Sequence, residues 1–308
     1  MTEINNILAL FPGQGSQKVG MGKELYQSNE IAKESFLLAD RELGFPLSKL
    51  CFEGPAEELT LTHIAQPAIL TVSVICYQIY KSKFKDFSLP AIAAGHSLGE
   101  YSALVAAEAI KFEDALHLVH KRGRYMQEAV PQGEGSMLAI LGKEVAEIEE
   151  AIEKIEQGLV EIANVNAPGQ IVVAGHIKAL EELKKIMSGS KIIELNVSAP
   201  FHCKLMQPAA DNLKKDLAKT DFMPCKFPVI SNQSALPVKE AEEIRKQLEL
   251  QVCGRVKWVE SIQYAITNYS PLASYEFGAG NVLNGMLKRI SPQIARINID
   301  PVYLIKEH

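Results

Sequence analysis

A serine stands at the centre of the segment Gly95-His-Ser-Leu-Gly99, between an apolar run at residues 90–94 and a helix-like stretch at 100–110. This order predicts a sharp turn from a strand into a helix with Ser97 at the corner. Such a corner forces strained backbone angles, and small residues on both sides let the chain pass. The hydroxyl would project at a helix N-terminus, where free N–H groups favour the negative charge of acyl transfer. Ser97 is therefore a candidate nucleophile.

The G-x-S-x-G pattern is weak support on its own, because it arises by chance in roughly one chain in ten of this length. Packing of small residues at a strand–helix turn is the alternative interpretation. The flanking strand and helix signals favour the nucleophile.

A serine hydroxyl becomes an effective nucleophile when a neighbouring base, most often histidine, removes its proton. The chain has seven histidines. His202 is the strongest candidate, because it follows residues 199–201 at a predicted seam between two parts of the chain, where clefts form. His96 adjoins the serine, but neighbours across a strained turn point in different directions. A purely structural role is the alternative for His202.

Two further histidines, His117 and His120, share one face of a predicted helix with Glu113 and Arg124. This spacing could begin a metal site, but no third ligand is apparent. A solvated helix face is the favoured interpretation, and we predict no metal site.

Arg122 is a candidate for binding an acidic group. The planar guanidinium of arginine can hold a carboxylate through two parallel hydrogen bonds, and it stays charged in a dry pocket. The adjacent Gly123 would let a ligand or another backbone approach closely. Ordinary solvation at the surface is the alternative.

The loop Gly13-Gln-Gly15 follows a predicted strand but is not a nucleotide-binding loop, because Lys18 stands where G-x-G-x-x-G requires glycine. A loop at the carboxyl end of a strand can instead offer backbone N–H groups to a ligand. A turn that simply needs glycines is the alternative.

Strand and helix signals alternate through most of the chain, which predicts a parallel sheet covered by helices. The predicted strands of this sheet are 5–11, 92–95, 227–231, 273–277 and 294–299, and the helices include 67–84, 100–110, 113–129, 204–218 and 281–289. Pro67 is predicted at the first position of its helix, where proline is common.

The order of elements changes between Gly135 and Ser198. The signals there predict strand 137–141, helix 145–157, strands 159–165 and 171–175, helix 178–187 and strand 191–197. This β-α-β-β-α-β order is that of a ferredoxin-like unit. We therefore predict a discontinuous α/β core domain, residues 1–134 with 199–308, interrupted by an inserted domain at 135–198.

Composition excludes several classes of protein. The 308 residues are 47% hydrophobic and 22% charged, and the longest apolar stretches fall short of a membrane span. Five scattered cysteines without a C-x-x-C pair argue against a disulfide framework and a thiolate zinc site. A net charge of −5 does not favour nucleic acid, and the N-terminus lacks the basic flank of a secretion signal. We expect a cytoplasmic protein without nucleic-acid or membrane partners.

Six segments, taken in order, resemble those of the malonyl-CoA:acyl carrier protein transacylase family. They are Phe11-Pro-Gly-Gln-Gly-Ser-Gln17, Gly95-His-Ser-Leu-Gly-Glu-Tyr-Ser-Ala103, Arg122 in its Arg-Gly-Arg-Tyr-Met-Gln context, Asn164-Val-Asn-Ala-Pro-Gly-Gln170, Ser198-Ala-Pro-Phe-His202 and Glu276-Phe-Gly-Ala-Gly-Asn281. The match spans nearly the whole chain. The resemblance implies that family's α/β fold, a hydrolase-like parallel-sheet core domain with an inserted ferredoxin-like small domain.

The resemblance also implies roles for individual residues. Ser97 resembles the nucleophile that accepts malonyl as an ester, and His202 resembles its general base. Arg122 resembles the residue that pairs with the malonyl carboxylate. The backbone N–H groups of Gln14 and Leu98 match the family's oxyanion hole.

Two more positions follow from the resemblance. Gln251 matches a residue whose main chain helps to orient the histidine. Phe201, beside that histidine, is expected to narrow the pocket against a branched acyl group and so to favour malonyl over methylmalonyl.

The implied reaction moves malonyl from malonyl-CoA, a CoA thioester substrate, to acyl carrier protein for fatty-acid synthesis, without a metal or bound cofactor. Three alternatives stay open: a serine esterase or thioesterase, a free-standing acyltransferase that serves polyketide synthesis, and a non-catalytic module that binds a carrier protein.

Overall fold

A computed structural model describes residues 6–84, 89–197 and 199–306. The predicted strand start at Asn5 and the predicted domain border at Ser198 lie outside the described residues. None of the helices in the described ranges is long and apolar enough to cross a membrane.

The elements alternate along the chain much as the sequence predicts. The strands are β1 (Ile7–Phe11), β2 (Ile92–Gly95), β3 (Gly135–Leu141), β4 (Val160–Ala167), β5 (Gln170–His176), β6 (Lys191–Glu194), β7 (Val229–Ile230), β8 (Pro237–Val238), β9 (Ala273–Phe277) and β10 (Ala295–Ile299). The helices are α1 (Lys23–Ser28), α2 (Glu30–Leu43), α3 (Leu47–Glu53), α4 (Ala56–Thr60), α5 (Thr62–Lys83), α6 (Gly99–Ala106), α7 (Phe112–Glu128), α8 (Val145–Ile152), α9 (Ile177–Ile186), α10 (Gln207–Leu217), α11 (Ala241–Gln251), α12 (Trp258–Tyr269), α13 (Val282–Ile290) and α14 (Pro301–Lys306).

The first sheet has the strand order β10-β9-β1-β2-β7-β8. Its neighbouring strands are parallel except for β7 with β8. Successive side chains of a strand point to opposite faces. Accordingly Ile7, Ala9 and Phe11 of β1 join one apolar core, and Leu8 and Leu10 join another. Both faces of this sheet are therefore buried, as in an α/β protein.

The second sheet is antiparallel, with the order β4-β5-β3-β6, and α8 and α9 pack on it around a third apolar core. The β-α-β-β-α-β order and this strand arrangement are ferredoxin-like, so the predicted fold class is confirmed. The four strands all lie within the segment predicted as an insert. The domain borders at 134/135 and 198/199 themselves stay predictions.

Strand β4 is hydrogen-bonded to the segment between α11 and α12, where Lys257 N–H donates to the carbonyl of Asn232, just after β7, at 2.9 Å. Val165 N–H donates to the carbonyl of Val256 at 3.1 Å, and Val256 N–H donates to the carbonyl of Ala163 at 2.8 Å. The second sheet is therefore held beside the carboxyl ends of the first, where α/β proteins bind their ligands.

The predicted start of a helix at Pro67 is wrong, because α5 begins at Thr62 and contains Pro67. Proline lacks the N–H that would bond the carbonyl four residues earlier, at His63. The His120 ring donates from Nδ1 to that carbonyl oxygen at 2.8 Å instead. A donor from α7 thus stabilises a helix that the local sequence does not favour.

Several other predicted elements extend too far. Helices predicted to end at 110 and 157 end at Ala106 and Ile152, and strands predicted over 191–197 and 227–231 cover Lys191–Glu194 and Val229–Ile230. After α6 the backbone enters the left-handed region at Glu108, with φ at 56°. Apolar periodicity continues past such breaks, which is why the pattern predicts longer elements.

The turn between β2 and α6 depends on two glycines. A Cβ on Gly95 would overlap the backbone of Gly99, and a Cβ on Gly99 would overlap the carbonyl of Phe11. Between them Ser97 lies in the left-handed region, with φ at 51°. The predicted strained turn is therefore present at this serine.

We predict that Gly95→Ala and Gly99→Ala each destabilise the protein by more than about 3 kcal/mol or prevent folding, because backbone cannot move aside as a flexible side chain can. Gly285→Ala is the matched control, since nothing lies within 4 Å of a Cβ there and Gly285 is an exposed position of α13. It should gain about 0.5–1 kcal/mol from helix propensity. Denaturant unfolding measures the free energy of unfolding of all three variants. Gly95→Ala or Gly99→Ala variants as stable as Gly285→Ala would contradict the predicted overlap with backbone atoms.

Candidate active site

Ser97 lies at the carboxyl edge of the first sheet, in the turn just before α6. Its backbone N–H donates to Oδ1 of Asn232 at 2.6 Å, and Asn232 Nδ2 donates to the carbonyl of Gly95 at 2.6 Å. The side chain of Asn232 thus spans the turn. These two hydrogen bonds fix the direction in which the Ser97 hydroxyl projects.

The imidazole of His202, which lies 105 residues later in the sequence, faces this hydroxyl. Its Nε2 lies 2.7 Å from Ser97 Oγ, and its Nδ1 lies 2.9 Å from the carbonyl oxygen of Gln251. A carbonyl only accepts, so Nδ1 of the neutral ring carries the proton and donates. Nε2 is then free to accept from the serine hydroxyl. His202, like Ser97, has a left-handed backbone, with φ at 59°.

The imidazole of His202 is 4% exposed. Burial, followed by the positive charge of Arg122, lowers the pKa of His202 to about 3. The ring is therefore neutral at physiological pH, in the state that can take a proton.

Arg122 reaches the same point from α7 and is 1% exposed. Its Nη2 donates to Ser97 Oγ at 3.1 Å and to Oε1 of Gln251 at 2.9 Å. Its Nη1 donates to Oε1 of Gln66 at 2.8 Å. The Tyr101 ring lies 5.6 Å from the guanidinium carbon.

The partners of Arg122 are amide and hydroxyl oxygens, which carry no full charge. Burial lowers the pKa of Arg122, yet a guanidinium keeps its proton in proteins. The buried carboxylate of Glu100 also raises the pKa of Arg122, but every hydrogen-bond acceptor that the described residues offer this cation is neutral, so a carboxylate that enters beside it is favoured. The site is thus prepared for an anionic ligand.

A cavity of about 320 Å³ opens onto these groups. Gln14 and Leu98 line it beside Ser97, and Phe201, 7% exposed, lines it beside His202. The second sheet supplies the facing wall through Met137, Asn164, Asn166 and Val172. The structure therefore brings together the predicted residues from both parts of the fold: Gln14, Ser97, Leu98, Arg122, Phe201 and His202, with Gln251 behind the imidazole.

The remaining candidate residues have structural contacts. His96 Nε2 lies 2.8 Å from Oδ1 of Asn166, and His117 Nε2 lies 3.3 Å from a carboxylate oxygen of Glu42. His120 supports α5 and is not on a fully solvated face. A Cβ on Gly123 would meet the α5 backbone at 2.6 Å, so this glycine allows two helices to pack closely. Within the described ranges, no three acidic, His or Cys side chains are grouped to hold a metal ion.

Sequence analysis missed three residues that contact the site: Gln66, Glu100 and Asn232. Gln66 precedes Pro67, so a helix predicted to begin at Pro67 leaves it outside, whereas α5 contains it. Glu100 is 1% exposed, although a glutamate in the first turn of a helix is typically solvated. Nothing near Asn232 in the sequence signals its contact with Ser97, which lies 135 residues away.

This arrangement suits acyl transfer through a covalent serine ester. The nucleophile lies within hydrogen-bond reach of a base, and a backbone carbonyl orients that base. The cavity also offers a cation that can select the acyl group.

Comparisons with known proteins agree with this chemistry. The family model described as acyl transferase domain matches residues 9–270. A malonyl CoA-acyl carrier protein transacylase of Bacillus subtilis (strain 168) is 46% identical over 305 residues, which are 97% of this chain and 95% of that protein.

Solved structures are similar over nearly the whole chain. The malonyl CoA-acyl carrier protein transacylase from Coxiella burnetii superposes with a TM-score of 0.94 at 41% identity, covering 100% of this chain and 98% of that one. A malonyl-transacylase in complex with a type II polyketide acyl-carrier protein superposes with a TM-score of 0.93 at 39% identity, covering 98% of each chain. The chain therefore belongs to the acyl transferase domain family and, within it, to the malonyl CoA-acyl carrier protein transacylases.

Proposed function

We propose that this protein transfers malonyl from malonyl-CoA to the phosphopantetheine thiol of acyl carrier protein, through a malonyl ester on Ser97. The observation that carries the proposal is the convergence of Ser97, His202 and Arg122 in one cavity, where the described hydrogen-bond acceptors of the cation are all neutral. An esterase for uncharged acyl groups would have no use for such a cation.

In the first half-reaction, Ser97 Oγ attacks the thioester carbonyl carbon while His202 Nε2 takes the hydroxyl proton. Backbone N–H groups of Gln14 and Leu98 stabilise the oxyanion, as their positions on the cavity wall allow. The C–S bond then breaks. His202 returns the proton to the departing thiolate, which leaves CoA and a malonyl ester.

In the second half-reaction, the sulfur of the phosphopantetheine thiol attacks the ester carbonyl carbon while His202 takes the thiol proton. The C–O bond to Ser97 breaks, and the imidazolium protonates the serine oxygen. The carbonyl of Gln251 accepts from Nδ1–H in both steps and keeps the ring oriented. No step needs a metal or a bound cofactor, because this chain supplies the nucleophile, the base and the oxyanion donors.

Arg122 pairs with the malonyl carboxylate and aligns the acyl carbonyl with Ser97. This pairing also offsets the positive charge that helps to lower the pKa of His202. Bound malonyl thereby raises the pKa of His202 and makes it a stronger base. Phe201 borders the same space, and its ring restricts room for an α-methyl branch.

The proposed role is supply of malonyl units for fatty-acid synthesis in the cytoplasm. The names of the relatives support malonyl-CoA and acyl carrier protein as substrates, and one related transacylase binds a polyketide carrier. The five cysteines carry free thiols, which suits a reducing compartment.

The deciding experiment mixes the protein with malonyl-CoA and unloaded acyl carrier protein and follows malonyl by mass spectrometry. We expect malonyl on Ser97 and then on the carrier, and Ser97→Ala should lose both. Free malonate with an unloaded carrier would identify a hydrolase instead. An unmodified wild-type Ser97 would identify a non-catalytic module. A competing polyketide carrier that is loaded faster than the fatty-acid carrier would reassign the pathway.

Arg122→Ala should reduce kcat/KM for malonyl-CoA more than for acetyl-CoA. The expected difference is about 1.5–3 kcal/mol, or roughly tenfold to 150-fold, the range for charge-assisted hydrogen bonds. Acetyl-CoA is the internal control, because it shares the thioester and lacks the carboxylate. Equal losses for both substrates would refute the proposed pairing.

The pH dependence of acylation follows from the lowered pKa of His202. A base whose pKa is about 3 stays unprotonated far below the usual histidine value, so kcat/KM for malonyl-CoA should stay level from about pH 8 down to about pH 5. Arg122→Ala removes a nearby cation and should move the acid limb to higher pH. Stopped-flow measurements of acylation give the pH profiles of wild type and Arg122→Ala. A wild-type acid limb with its midpoint near the ordinary pKa of histidine would contradict a base with a lowered pKa at His202.

A further inference from the structure

Glu100 is a buried carboxylate that the proposed reaction does not use. It lies in the first turn of α6, three residues after Ser97, and its side chain is enclosed rather than solvated. Burying an ionisable group in such a place costs free energy unless the group is paired and hydrogen-bonded.

One oxygen of Glu100 makes two hydrogen bonds. Oε2 accepts from the backbone N–H of Asn232 at 2.9 Å and from Nε2 of Gln251 at 2.7 Å. The other oxygen, Oε1, is buried and has no hydrogen-bond partner among the described residues. All the identified hydrogen bonding of this carboxylate is thus directed at two residues.

Those two residues hold the peptide units on both sides of Ser97. Asn232 accepts from the Ser97 N–H at 2.6 Å, and Gln251 Nε2 donates to the Ser97 carbonyl at 3.0 Å. Gln251 also accepts from the imidazole of His202 through its main chain and from Arg122 through Oε1. Gln251 and Asn232 therefore connect Glu100 to every reacting or charge-binding side chain.

We propose that Glu100 is a positioning residue, whose Oε2 fixes Asn232 and Gln251 and through them the nucleophile, the imidazole and the guanidinium. This inference rests on the proposed serine chemistry and adds to it the residue that keeps the nucleophile, the imidazole and the guanidinium in their relative positions. A displacement of about 1 Å at a reacting centre can slow a reaction a hundredfold.

The position of the acceptor, and not its charge, is what this role requires. Burial raises the pKa of Glu100 to about 7, while its hydrogen bonds and Arg122 oppose that rise. A proton on the partnerless Oε1 would leave Oε2 able to accept both N–H groups. Glutamine, with a carbonyl oxygen at the same reach, should therefore replace glutamate, whereas aspartate, shorter by one methylene, should not.

The test compares Glu100→Gln with Glu100→Asp. The readouts are the rate of Ser97 acylation by malonyl-CoA and by p-nitrophenyl acetate, with the melting temperature of each variant. We expect Glu100→Gln to stay within about threefold of wild type and Glu100→Asp to be slowed about tenfold to a hundredfold with both acyl donors.

Glu276 offers a matched control, because it is also a fully buried carboxylate and accepts backbone N–H groups of Leu283 and Asn284 at 3.0 and 2.7 Å. Glu276→Asp should lower the melting temperature without slowing acylation by p-nitrophenyl acetate. Equal slowing in Glu276→Asp and Glu100→Asp would overturn the proposal, since the effect would then be general loosening.

Two further results would overturn it: Glu100→Asp reacting at the wild-type rate, or Glu100→Gln reacting as slowly as Glu100→Asp. Failure of the proposed function looks different. In that case wild-type protein forms no malonyl ester from malonyl-CoA, while p-nitrophenyl acetate still reports how Glu100 affects Ser97.

Discussion

The site depends on how closely the start of α6 is pressed against the ends of β1 and β2. Cβ atoms on Gly95 and Gly99 would overlap backbone across this contact, and a Cβ on Gly13 would overlap the carbonyl of His96. The same closeness holds Ser97 at a left-handed φ. It also brings the loop after β1 to the N-terminus of α6, so that Gln14 and Leu98 line one cavity. Backbone contact here positions both the proposed nucleophile and the backbone N–H groups proposed to stabilise the oxyanion.

The charged and neutral groups around this turn favour an anionic ligand. Arg122 is buried against amide and hydroxyl oxygens, and its cation helps to keep His202 neutral. In the proposed reaction the malonyl carboxylate adds a negative charge beside this guanidinium, and an uncharged acyl group does not. Binding and base strength are then linked through the same guanidinium, which gives an electrostatic reason for the proposed selection of malonyl.

The second sheet completes the cavity and is not an independent appendage. Its strand β4 shares backbone hydrogen bonds with Val256, and Asn166 on that strand contacts His96 beside the nucleophile. Apolar side chains from β3 and β5 form the wall opposite Ser97. An acyl-enzyme between these walls is partly shielded from water, which favours transfer to a thiol over hydrolysis.

Local sequence patterns predict the alternation of strands and helices, the ferredoxin-like segment and the strained turn at Ser97, because apolar periodicity and glycine spacing encode these features. The chemistry of the residues also singled out His202 and Arg122 as candidates, and the family resemblance implied their roles and added Gln14, Leu98, Phe201 and Gln251. The tertiary structure alone establishes the contacts of Glu100 and Asn232, which join residues 132 to 151 positions apart. It also decided that α5 continues through Pro67, since the compensating donor, His120, comes from another helix. Partners of buried polar groups are chosen by packing between distant segments, and no local pattern records that choice.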